Sequence, residues 1–213
     1  MVVVINSNRG LCGAFNSNVL RASVQRIQND YSSQFKAGNV SVLTIGRKAT
    51  EFFTKRGYTV VSSHDSVFDN LTYDNVSAIA TSVMDAFARK EFDRVDIIYN
   101  QFKNAVVQRV TVEQLLPVEA PVDKALVSKS NTDYIFLPEK NEIVTELIPK
   151  SLKIQFYKAV LDSYASEHGA RMTAIHQATD NAGDLIKELN LAYNKARQAA
   201  ITKEILEIVS GAE

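Results

Sequence analysis

One cysteine, no tryptophan and four prolines stand in 213 residues, and neither charge sign dominates, with 24 basic against 24 acidic side chains. A single thiol excludes an internal disulfide framework and fits a reducing compartment. Balanced charge without a long basic block argues against nucleic acid, whose phosphates demand a positive face. No run reaches the roughly 18 apolar residues that a bilayer-spanning helix needs. Val2-Val3-Val4-Ile5, directly after Met1, is too short and too uncharged at its front for a signal peptide. A strand opening on the first residue suggests a chain cut upstream of a sheet. The length fits one domain, or one domain plus an extended element.

The first two-thirds alternate in the α/β manner. Val2–Ile5 is a short β-branched run, the pattern of a strand buried on both faces. Asn6–Gly13 turns the chain, and the spacing of Val19, Leu20, Val24, Ile27, Tyr31 and Phe35 predicts a helix over 18–35. A strand over 40–45, a short helix over 48–55, a weaker strand over 58–62 and a helix over 74–89 follow. Arg94–Tyr99 is a strongly apolar strand, and Val106–Leu115 has period-2 order. Only Asn100–Asn104 lies between those last two, too short for a crossover, so their pairing must be antiparallel. The fold class expected is α/β: a Rossmann-like, mostly parallel sheet with an antiparallel edge.

Residues 117–133 hold two of the four prolines with scattered Ser, Asp and Lys, and read as an exposed loop. Tyr134–Leu137 reads as a short strand, and Pro138 suits the first position of a helix. The expected division is a 1–137 α/β domain and a 138–213 helix. Pro149 should kink that helix, because it lacks a donor and clashes with the preceding turn. Gly169 and Gly183 are each tolerated at about 1 kcal/mol relative to alanine. Ser210-Gly211 closes it in the usual left-handed way. From Lys150 to Val209 it would be roughly 90 Å long at 1.5 Å per residue. Much of it must project.

The projecting part carries a narrow apolar seam. Ile175, Ala178, Ala182, Leu185, Leu189, Ala192, Ala196, Ala199 and Leu206 recur at alternating steps of three and four, broken only by Lys203. Such a period keeps one thin face toward one neighbouring helix. Five of the nine are alanine, so that neighbour's backbone must come close.

Candidate chemistry is thin. The turn Asn8-Arg9-Gly10-Leu11-Cys12-Gly13 lies where an α/β fold would hold a phosphate, yet it lacks a third glycine and any Gly-Lys-Ser/Thr. The second strand ends at Gly46-Arg47, without the acid that would hold a ribose hydroxyl. A tight strand-to-helix turn is the preferred reading, with Cys12 packed as a small residue. His176, Asp180, Asp184 and Glu188 fall at steps of four on one helix, and a solvated polar face explains them better than a metal site. Lys195, Arg197, Gln198, Thr202, Lys203 and Glu204 crowd about three turns. Solubility is the plain reading, and recognition of a partner's carboxylates or carbonyls by the planar fork of Arg197 is the sharper one. No cofactor, no direct small-molecule ligand, no metal and no catalytic residue is expected.

Ala178-Thr179-Asp180-Asn181-Ala182-Gly183, Leu185-Ile186-Lys187-Glu188-Leu189, Tyr193-Asn194-Lys195-Ala196-Arg197-Gln198-Ala199 and Ile201-Thr202-Lys203-Glu204-Ile205 closely resemble the C-terminal helix of the ATP synthase gamma subunit family. Arg9-Gly10-Leu11-Cys12-Gly13 with Asn16, and Gln114-Leu115-Leu116-Pro117, are similar to further family motifs. The resemblance implies a non-catalytic central-stalk rotor of F-type ATP synthase that couples hydrogen-ion transport through the membrane c-ring to ATP synthesis. It implies alpha, beta and epsilon subunits and the c-ring as partners. An N-terminal helix absent from this sequence would be the coiled-coil mate of the seam. It implies a peripheral position on the cytoplasmic face of the bacterial inner membrane. By position, Arg197, Gln198, Thr202 and Arg171 match residues that touch a beta subunit. Leu137 stands where family members often carry an acid before the proline, with Glu139 displaced beyond it, so a ring-facing polar contact is not carried over.

A coiled-coil adaptor and a nucleotide-binding Rossmann-type domain are the other readings that these residues allow. The bare seam predicts that the isolated chain associates with itself or frays at its C-terminal helix. Sedimentation showing a compact monomer with full helicity would overturn that expectation.

Overall fold

A computed structural model describes residues 1–118 and 140–211, with side chains of the last helix described from 145 onward. The expected strand at Tyr134–Leu137, the helix-opening Pro138, the Leu137–Glu139 departure, the 137/138 boundary and most of the 117–133 loop lie outside the described residues. Five strands form one sheet: β1 (Val2–Ile5), β2 (Ser41–Ile45), β3 (Thr59–Ser63), β4 (Val95–Phe102) and β5 (Gln108–Leu116). Their order is β3-β2-β1-β4-β5. β1, β2, β3 and β4 run parallel, while β5 pairs antiparallel to β4 from Val95↔Leu116 to Phe102↔Gln108. The short 103–107 connection leaves β5 no other way to join, as the sequence argument required.

The helices are α1 (Phe15–Asp30), α2 (Ser32–Lys36), α3 (Arg47–Lys55), α4 (Tyr73–Ala88) and α5 (Lys140–Ser210). Alternating strand residues feed two apolar layers. Val2, Val4, Val42 and Ile98 pack with Val19 and Ile27 of α1 and Ala49 and Phe53 of α3. Val3, Ile5, Ile45, Ile97 and Tyr99 face the other way, onto Val76, Ile79 and Val83 of α4 and Leu152, Phe156, Ala159 and Val160 of α5. Each large side chain buried this way contributes about 1.5–3 kcal/mol. The first part of α5 is therefore a core element of the sheet.

The structure departs from the sequence reading in several details; Gly211, expected to close the last helix in the left-handed conformation, does not take a positive φ. The helix predicted over 18–35 begins at Phe15 and splits at Tyr31, whose backbone leaves the helical region (φ −120°, ψ 26°). The Tyr31 hydroxyl is drawn to a buried carboxylate, Asp96, at 2.5 Å. A single 3₁₀ turn at Asp65–Phe68 puts Val67 into the core, a piece too short to show helical periodicity. Pro149, expected to interrupt the last helix, sits inside α5, which is 71 residues and so about 107 Å long at 1.5 Å per residue.

Asp96 is fully buried at the start of β4 and ties three segments together. Arg26 Nε donates to Oδ2 at 2.9 Å, and Arg94 Nε to Oδ1 at 3.0 Å. Burial alone would push this carboxyl up, but the hydrogen bonds of Tyr31, Arg94 and Arg26 outweigh it and hold the group below the ordinary aspartate range. Burial, then the bond to Asp96, pushes the Tyr31 hydroxyl up to about 12. A depressed carboxylate contributes stability that is complete above about pH 4, the unfolded value, and is lost as pH falls through the lower folded value. Asp96→Asn is expected to lower unfolding free energy by about 1–3 kcal/mol, because it removes the buried acceptor of Tyr31, Arg26 and Arg94. Denaturant melts should also show the variant losing the wild-type decline in stability below pH 4; an unchanged acid limb would sink the assignment.

Candidate functional site on the projecting helix

The turn after β1 is fixed by its own side chains. Ser7 is buried, with Oγ 2.5 Å from the Arg9 carbonyl and 2.8 Å from Asn16 Oδ1. Asn16 Nδ2 donates to the same carbonyl at 3.2 Å and to Cys12 Sγ at 3.2 Å. Cys12 is buried beside Phe15 and Ala170, so its role is packing. Gly13 takes φ 57°, which glycine reaches without cost, but Leu11 takes φ 60° and holds its side chain 90 % exposed. A leucine there stores strain while displaying an apolar group to solvent.

A doubly wound sheet takes its ligand in the crevice beyond the carboxyl ends of its strands. Here α5 lies across that crevice. Ser166 Oγ donates to the Asn100 carbonyl at 3.1 Å, and Asn100 Nδ2 to the Phe15 carbonyl at 3.4 Å. What remains is a cleft of about 190 Å³ bordered by Cys12, Phe15, Asn100 and Ala170. The turn whose glycines suggested a phosphate site is wrapped against a helix.

Of the four residues placed by resemblance against a beta subunit, Arg171 stands apart from the other three. Its Nη2 donates to Glu167 Oε1 at 2.7 Å and approaches the Gly10 carbonyl at 3.5 Å. It is only partly exposed, and Glu167 is buried. Arg197, Gln198 and Thr202 lie near the far end of α5, fully open. Among the described residues, no hydrogen bond or ion pair ties these three to the rest of the chain. At about 100° per residue, Gln198 points roughly 150° away from the mean direction of the seam. All nine seam positions, from Ile175 to Leu206, are exposed. His176, Asp180, Asp184 and Glu188 are exposed as well, with Asp184 accepting from Lys187 at 2.9 Å, and no metal-holding group occurs among the described residues.

A second apolar stripe lies at the tip. Ile201, Ile205 and Ile208 are exposed on the side that carries Arg197, opposite Leu206. Their spacing of four and three is a second stripe, which a search for one seam overlooks. The last turns of α5 therefore carry two exposed apolar stripes, parted on one side by the charged Lys203, Glu204 and Glu207. Two such stripes on one helix call for neighbours on more than one side.

Comparison with known proteins matches this arrangement. A family model described as ATP synthase matches residues 1–213. The chain is 56% identical over 214 residues to an ATP synthase gamma chain of Flavobacterium psychrophilum, covering 100% of this chain and 72% of that one. A Cytophaga hutchinsonii ATP synthase gamma chain is 50% identical with the same coverage. Among solved structures, the central stalk and c-ring of the Tetrahymena thermophila mitochondrial ATP synthase gives a TM-score of 0.64 at 27% identity, covering 84% of this chain and 75% of that one. A Euglena gracilis mitochondrial ATP synthase shares the fold, with a TM-score of 0.69 at 22% identity over 98% of this chain and 70% of that one.

The strain at Leu11 gives a local test. Leu11→Asn, which tolerates positive φ, is expected to raise unfolding free energy by about 0.5–1 kcal/mol. Calorimetry showing a loss instead would mean that the leucine side chain supports the fold.

Proposed function

The chain belongs to the ATP synthase gamma-chain family, and on that premise we propose how its parts divide the work of a central-stalk rotor. The α/β body, together with the first part of α5 that completes its core, is the foot. It meets the c-ring and the epsilon subunit, and through them sits on the cytoplasmic face of the bacterial membrane; no described helix of its own is long and apolar enough to cross one. The part of α5 beyond Arg171 is half of a shaft whose alanine-rich seam takes an antiparallel helix. The hexamer of alpha and beta subunits encloses the tip.

The observation that carries this reading is the long exposed run of α5 beyond Arg171, which bears two apolar stripes at its end. A helix so exposed over so many turns needs neighbours along its whole length. The chain contributes no chemistry to the bound nucleotide. Its part is mechanical: a shaft whose faces differ offers each of three catalytic sites a different contact at any moment, and differential contact shifts each site's conformational equilibrium. Arg197, Gln198 and Thr202 are the outward contacts to a beta subunit, and Arg171 is a fourth residue near the shaft's base. A charge-assisted hydrogen bond worth about 1.5–3 kcal/mol suits such a contact, since it must be made and broken at every step.

Mixing the chain with alpha and beta subunits, with and without a peptide of the antiparallel helix, tests the assignment. Complex formation with coupled ATP hydrolysis is expected when the peptide is present. Arg197→Ala is expected to weaken assembly about tenfold, which corresponds to 1.4 kcal/mol. Binding to unrelated helices as well as to the hexamer would favour the adaptor reading. Tight ATP or NAD binding by the free chain would favour the nucleotide-binding one.

A further inference from the structure

A shaft must be gripped where it leaves its foot, and the grip is visible. From Ser166 to Thr173, α5 is held on several sides by segments far away in sequence. Gly169 lies against the hairpin tip between β4 and β5: a Cβ added there would come within 2.9 Å of the Ala105 carbonyl oxygen and 3.1 Å of its Cα. Thr173 Oγ1 reaches the same carbonyl at 3.4 Å. Ala170 is buried between Cys12 and Phe15. Arg171, braced by Glu167 at 2.7 Å, approaches the Gly10 carbonyl at 3.5 Å. At about 100° per residue these supports cover roughly 200° of the helix circumference. The uncovered sector carries Met172 and Ile175, where the seam begins.

Both gripping segments are themselves stiffened. Asn104 Oδ1 accepts from the backbone N–H groups of Val106 at 3.0 Å and Val107 at 2.7 Å, which fixes the hairpin tip. Ser7 and Asn16 fix the turn after β1 through the Arg9 carbonyl. The helix beyond the grip extends about 60 Å at 1.5 Å per residue, so any sideways load at its tip acts on this point through a long lever. Solubility or ordinary core packing would not require a glycine pressed on a backbone carbonyl in the middle of a 71-residue helix.

We propose that the turn at 9–13, the hairpin tip at 103–107 and residues 166–173 of α5 form a collar that passes torque between shaft and foot. Gly169 and the Glu167–Arg171 pair are its positioning residues. The proposal rests on the rotor reading above. Gly169 permits the close approach on one side, and the braced guanidinium closes the grip on the other. Because Glu167 is buried against the body, it can act only through Arg171 and not on a partner.

The test uses the full-length gamma chain assembled with alpha and beta subunits and the c-ring. Torsional stiffness of the stalk is read from the angular fluctuations of a probe on the ring with the hexamer immobilised, and coupling from protons pumped per ATP hydrolysed. Gly169→Ala, Arg171→Gln and Glu167→Gln are each expected to lower stiffness at least twofold and to reduce the pumping ratio. The double Glu167→Gln/Arg171→Gln variant should be no worse than either single one. Assembled variants with wild-type stiffness and pumping overturn the collar. So does an effect of Arg171→Gln that Glu167→Gln does not reproduce, since that would mark Arg171 as a contact to a partner. Should Gly169→Ala fail to assemble, the two side-chain variants still decide. A wild-type chain that assembles but does not rotate refutes the rotor reading instead, and is told apart by that control.

Discussion

The seating of residues Leu152–Ala170 against β4 is the constraint on which the rest of the molecule depends. Phe156, Ala159 and Val160 close one apolar layer of the sheet, so that stretch of α5 cannot be removed without opening the core. The same stretch sets the direction in which the next forty residues point. One continuous helix thus crosses from a place where every face but one is buried to a place where almost none is. The aligning force is ordinary burial, and the projection follows from the helix's own rigidity.

The antiparallel edge decides where the helix emerges. β5 returns the chain to the amino end of β4, and α5 then climbs beside the strands toward their carboxyl ends. That end is where sheets of this type usually keep a ligand. In this chain Ser166, Ala170 and Arg171 occupy it, and the turn after β1 answers them with a carbonyl and a packed thiol. The carboxyl ends of the strands are thus covered by the chain's own helix.

Much of this could be read from residues alone. The β-branched run Val2–Ile5 gave away a strand buried on both faces, the apolar run at 40–45 gave away its neighbour, and the brief link between β4 and β5 gave away the reversed edge. The alanine-rich seam reads as a face for a neighbouring helix, and all of its positions are exposed in this chain. What stayed hidden depended on partners distant in sequence. The break at Tyr31 is dictated by Asp96, which lies on a strand 65 residues later. Gly169 looked like a helix position tolerating a small cost, and only the Ala105 backbone gives it a reason. Arg171 offers nothing locally to connect it with Gly10. Ile201, Ile205 and Ile208 were legible in principle, but their stripe lies beside a stronger one. Arg197, Gln198 and Thr202 are exposed and make no side-chain hydrogen bond or ion pair among the described residues, so their geometry toward anything else cannot be read from this chain.

The long exposed run of α5 has a thermodynamic consequence for the chain studied alone. Heat-capacity change and denaturant slope scale with the surface that unfolding uncovers, and beyond Ala174 nearly all of that surface is uncovered already. Those quantities therefore describe the α/β body. Far-ultraviolet circular dichroism weights every helical residue alike and so describes the shaft as much as the body. The two signals follow different parts of one polypeptide and need not share a midpoint. Disagreement between them in the free chain, and agreement once the shaft is enclosed, would be the calorimetric signature of an element whose cooperativity resides in its neighbours.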